Sequence, residues 1–166
     1  MINDFRLKDL DKTAKYFLSL FLITLGIGIT TGLYYVYLTT DSTPTGTIER
    51  YNGSESTDDE IPLEFPQPIE NMILTTHNHV NSFAMISFLI GFIFYFNSTI
   101  TGKLKLFLMI EPFLSTLITF FSLWMMRFAN ENFVYILFLS SFLLYACWFL
   151  MIFIAIYEML CNNIKE

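Results

Sequence analysis

The chain has two histidines, and both fall in Thr75-Thr76-His77-Asn78-His79, the run that leads into the apolar stretch 80–92. An imidazole at the edge of a hydrocarbon layer is costly to keep without a purpose. There it can ligate haem iron or copper, carry a proton or hydrogen-bond a quinone. Helical geometry at about 100° per residue puts His77, Asn81, Ala84, Ser87, Gly91 and Tyr95 on one face. His79, Ser82, Ile86, Ile90 and Ile93 take the opposite one. His77 shares its face with small and polar residues, so it is the expected inward ligand, leaving His79 toward a second subunit, the outer loop or the membrane interface. An extended backbone through 75–79 would instead bring both rings to one side and make a His-x-His metal clip.

Glu111-Pro112 stands inside a second apolar run, with Glu111, Ser115, Thr119, Ser122 and Met126 on one face. A lone carboxylate at such depth needs a proton, a partner or water, so Glu111 is a candidate proton-relay or quinone position. The alternative is a kink whose carboxyl bonds the neighbouring hydroxyls. Arg127, beside Trp124 and Phe128, closes the same run at about the height of His77, where a guanidinium suits haem propionates. On the first apolar run Thr24, Gly28, Thr31, Gly32, Tyr35 and Thr39 recur at helical spacing. Gly28-x-x-x-Gly32 lets a helix or a flat macrocycle approach the backbone.

Bis-histidine haem draws its ligands from two helices, and here histidine occupies one, which argues against a di-haem cytochrome b. The sixth position would fall to Met126, to Met125 or to a second copy's histidine, or stay open for a diatomic gas. Copper is the alternative metal, with Met72, Met125 and Met126 beside His77 and His79. Cys147 and Cys161 are about four helical turns apart and cannot pair within the chain. No Cys-x-x-Cys-His run exists, so covalent c-type haem is excluded, and there is no P-loop, dinucleotide-binding fingerprint or Ser/His/Asp set.

These residues need elements that hold them in lipid. Of 166 residues 54% are hydrophobic, 19 are Phe and only 14% are charged, which identifies an integral membrane protein. Four segments reach the ~20 residues needed to span a hydrocarbon core: Tyr16–Leu38, Ile73–Phe96, Leu104–Met126 and Val134–Leu160. The first lacks an Ala-x-Ala cleavage site and is read as a retained helix. Ser141, Tyr145, Trp148 and Ala155 form the inward face expected of the fourth, with Glu158 reaching solvent at its end. The expected fold is all-α, an integral membrane antiparallel four-helix bundle, one membrane domain over 1–166, with a tight turn around Gly102 and a long acidic external loop, 39–72, between the first two spans. Within that loop Thr47–Tyr51 would form a short strand or an ordered cap over the His77 site.

Seven basic residues (Arg6, Lys8, Lys12, Lys15, Lys103, Lys105 and Lys165) lie on one side and two, Arg50 and Arg127, on the other. That bias predicts cytoplasmic termini. The formal charge of −6 arises mainly in the external loop and gives no reason to expect nucleic acid. Glu55, Asp58, Asp59, Glu60 and Glu64 there would offer a docking surface to a basic soluble cytochrome.

His77-Asn78-His79-Val80-Asn81, followed by small and aromatic residues and Gly91, resembles the His-x-His-x-Asn helix start of small four-helix membrane haem b proteins, single-bundle relatives of cytochromes b and haem–copper oxidase subunits. The resemblance implies haem b on His77 or His79, and Asn81 is counted with that site. The expected function is electron transfer or gas and redox sensing within or beside a respiratory complex, in a bacterial inner membrane or an equivalent energy-conserving one. Membrane lipid and a homo-oligomer or larger complex are the expected partners. The contrasting expectation is a non-catalytic accessory subunit.

Overall fold

The computed structural model describes residues 6–54 and 64–161. After an N-terminal 3-10 turn, Leu7–Asp9, five helices follow: α1 (Lys12–Thr40), α2 (Pro44–Asn52), α3 (Ile69–Tyr95), α4 (Gly102–Phe128) and α5 (Phe133–Leu160). The described residues contain no strand. All except α2 are long and apolar enough to cross a membrane. Each starts and stops for a local reason. The Asp11 carboxylate caps α1 by accepting from the Ala14 N–H at 2.7 Å. The chain leaves α1 through Asp41 and Ser42, both left-handed with φ of 52° and 51°. Pro66-x-Pro68 keeps the chain extended until α3 begins. Gly102, with φ of 66°, opens α4 after the connection 96–101.

One expectation for the segment 39–72 changes. Thr47–Tyr51 is helical rather than a strand, because Thr43 and Pro44 supply a strong start. Pro44 occupies the first turn, where its missing N–H costs nothing, and the Thr43 hydroxyl accepts from Gly46 N–H at 3.0 Å. Gly46 is required there, since a Cβ would stand 2.3 Å from the Thr40 carbonyl oxygen. The element is an ordered cap. Ile48 and Tyr51 pack on Met72, Phe120, Leu123, Met126 and Val134, and the Asn52 amide donates to Glu131 at 3.0 Å. Of the acidic stretch, residues 55–63 lie outside the described residues; Glu64 pairs with Arg50 at 3.3 Å.

A second cluster is built around Trp148, Phe94, Leu22, Leu144 and Met151, all fully buried. Trp148 donates its indole N–H to the Ser87 hydroxyl at 3.1 Å and meets Phe83 and Tyr145 edge to face, which fixes α5 on α3. Trp124 ties the end of α4 to the start of α3 through Thr76 at 2.9 Å. Between α4 and α5, Thr119 and Ser140 bond at 2.8 Å. Glu111, Ser115, Thr119, Ser122 and Met126 line the buried side of α4, as its periodicity predicts.

The expected inner face of α1 does not face inward. Thr24, Gly28, Thr31, Gly32 and Tyr35 are exposed, and α1 instead buries Lys15, Ser19, Leu22 and Ile29. That exposure is tolerated because its threonines satisfy themselves: Thr24 and Thr31 donate to the carbonyls of Leu20 and Ile27, each at 2.9 Å. A hydroxyl so bonded has no need of a neighbouring helix.

Candidate functional site

α3 is helical from Ile69, so His77 and His79 cannot alternate as on a strand, and the extended His-x-His clip is ruled out. The buried stripe of α3 runs through Met72, Ser87, Ile90, Gly91, Ile93 and Phe94, taking Ser87 and Gly91 from the His77 face and Ile90 and Ile93 from the His79 face. Both rings are exposed, but they differ in company. His77, the expected inward ligand, meets the Asn81 amide of its own helix at 3.4 Å from either ring nitrogen, a weak bond. His79 packs against Phe83 of its own helix and Phe120 of α4, with ring centroids 5.5 and 5.8 Å away. The assignment by helical phase is therefore corrected: His79 is the histidine turned toward a neighbouring helix.

His79 Nδ1 lies 2.9 Å from the Thr75 carbonyl oxygen. A carbonyl only accepts, so Nδ1 carries the hydrogen, and in the neutral ring Nε2 keeps its lone pair. A carbonyl on one nitrogen is the usual way a protein fixes the tautomer and orientation of a metal-ligating histidine. Met72 and Met126 lie in the apolar cluster that includes Phe120. Arg127 lies two turns along α4 from Phe120, its guanidinium over the Phe128 ring, and its buried Nε has no hydrogen-bond partner among the described residues. The described residues hold no group of three His, Cys, Asp or Glu side chains arranged for a metal. The side chains that could hold a haem are His79 as an axial ligand and Arg127 for its carboxylates.

Two carboxyls are buried in the helices. Glu111 accepts from the Ser115 hydroxyl, stands beside the Cys147 thiol of α5, and leaves its second oxygen without a partner. Glu158, expected to reach solvent, is fully buried. It accepts from the Asn97 amide, from Ser98 N–H at 2.8 Å and hydroxyl at 2.8 Å, and from Thr99 N–H at 3.1 Å and hydroxyl at 3.0 Å. Asn97-Ser98-Thr99 thereby wraps the α3–α4 connection onto α5. Lys105 completes that end by donating to the carbonyls of Tyr95 and Asn97 at 2.6 and 2.7 Å.

A family described as a transmembrane helical domain matches residues 41–166. The chain belongs to this family. The match takes in α2 to α5 and with them both histidines, Glu111, Arg127 and the Glu158 cradle, while α1 with Gly28 and Gly32 precedes it. No curated protein and no solved structure matches the chain. Membership of the family, with the four apolar helices, establishes a membrane protein in contact with lipid.

Proposed function

We propose that this protein binds one haem b through His79 at the α2 end of an antiparallel four-helix bundle and serves electron transfer or gas and redox sensing. The observation that carries the reading is the Nδ1–Thr75 bond, which leaves Nε2 prepared as a ligand. Thr75 holds the ring's orientation, Phe83 and Phe120 pack against it, and Arg127 supplies a guanidinium for haem carboxylates. Bound haem supplies one-electron exchange or an open coordination site for a diatomic gas. The basic residues before α1 and around Gly102 support cytoplasmic termini in an energy-conserving membrane.

The purified protein should show a Soret band that His79→Ala abolishes and His77→Ala leaves in place. Loss of the band on His77→Ala alone would reverse the assignment. Absence of haem in the wild type, with stoichiometric copper instead, would move the site to copper on the same imidazole.

The exposed face of α1 favours a second reading, an accessory subunit or homo-oligomer, since Gly28 and Gly32 have open space where a Cβ would stand. A colourless, metal-free preparation that co-purifies with a larger membrane complex would support it over the haem reading.

A further inference from the structure

α1 leans on α5 and leaves a lateral cleft of about 430 Å³ between itself and α3. Its lining is Leu, Ile and Phe alone: Phe17 and Phe21 form one wall, Leu89 and Phe92 the other. Leu7 and Leu10 close the bottom. That floor is fixed in place, because Leu7 is buried and donates its N–H to the Phe96 carbonyl at 3.0 Å. From Phe96 to Leu89 the α3 wall rises about 10 Å, within the ~15 Å depth of one leaflet of a ~30 Å hydrocarbon core.

The segment that forms the floor is basic. Arg6, half-buried Lys8, exposed Lys12 and buried Lys15 lie on the segment that forms the floor and the first turns of α1, against Asp9 and Asp11. Asp11 is occupied as the α1 cap. On the α3 side Lys105 is held against the carbonyls flanking Phe96. An apolar slot about 10 Å long whose closed end lies on a basic segment is complementary to one kind of molecule, an amphiphile with a hydrocarbon chain and an anionic head.

We infer that the α1–α3 cleft holds one acyl chain of an anionic phospholipid, with its phosphate headgroup on Lys8 and Lys12. The assignment is independent of the histidine site, which lies at the other end of α3. Two lysines near an anionic headgroup favour it by roughly ten- to thirtyfold over a zwitterionic one.

The test uses the full chain in nanodiscs of mixed phosphatidylglycerol and phosphatidylcholine, released gently for native mass spectrometry. The wild type should retain one phosphatidylglycerol in about tenfold preference, and Lys8→Gln/Lys12→Gln should bring the preference to within about twofold. A reporter placed by Phe92→Trp, at a position 56% exposed, should be quenched by brominated phosphatidylglycerol more strongly than by brominated phosphatidylcholine. Equal retention of both lipids by the wild type would overturn the assignment, as would a preference unchanged by the double substitution. A lipid-free dimer broken by Phe92→Trp would give the cleft to a second copy and would also overturn it.

Discussion

Glu158 and Glu111 show how differently two buried carboxyls can stand in one bundle. Every lone pair Glu158 offers is used, by two backbone N–H groups and three side chains of 97–99, whereas Glu111 has one donor and an oxygen left over. Removing an acceptor from a satisfied network strands its donors, which costs far more than the net worth of each bond. Glu158→Ala should therefore destabilise the protein by about 3 kcal/mol. Glu158→Gln should cost less, since one amide oxygen still accepts. Thermal unfolding in detergent reads both, and an alanine variant no less stable than the glutamine variant would refute the account. The sequence displayed Asn97-Ser98-Thr99 and Glu158 but not their contact. They lie about 60 residues apart, and nothing in helical periodicity pairs a loop with the last turn of another helix.

At the scale of elements, what periodicity could specify is correct and what it could not is not. Four spans and the polar face of α4 follow from apolar runs and spacing alone. The face of α1 does not, because a hydroxyl that can bond its own helix does not by itself mark a helix contact: Thr24 and Thr31 make that bond exposed, Ser140 makes it buried against Thr119. On α3 the core takes Ser87 and Gly91 from the face expected inward and Ile90 and Ile93 from the opposite one, so helical phase alone names part of the stripe. For α2 the capping residues decided helix over strand. Burial under this cap pushes the Tyr51 phenol above its ordinary value, with nearby Arg50 pulling it down and Tyr35 adding to the rise. A raised value in the folded protein means that Tyr51 supports folding below its ordinary pKa of about 10 and that this support is lost as pH rises through the folded value. Between about pH 9 and 11 the wild type should lose stability faster than Tyr51→Phe. Parallel curves for the two proteins would show that ionising Tyr51 does not loosen the cap.

As a whole molecule, the chain has a lopsided distribution of contacts: α3, α4 and α5 form the closely knit part, and α1 is attached mainly through α5 and α2. One side of α1 serves the cleft at its N-terminal end, and farther along Gly28 and Gly32 meet nothing. In lipid there is no hydrophobic force to cover such a face, so association there depends on the close backbone approach that glycine allows. Leucine at both positions would block that approach without disturbing the fold, because no neighbour lies within 4 Å of either added Cβ. It would also raise helix propensity, by roughly 0.5–1 kcal/mol per glycine replaced. Gly28→Leu/Gly32→Leu should thus leave the unfolding temperature of the single chain unchanged or higher while abolishing any homo-oligomer or complex seen for the wild type by native mass spectrometry in mild detergent. An oligomer that survives both substitutions would place the contact on another face and remove the case for α1 as the docking helix.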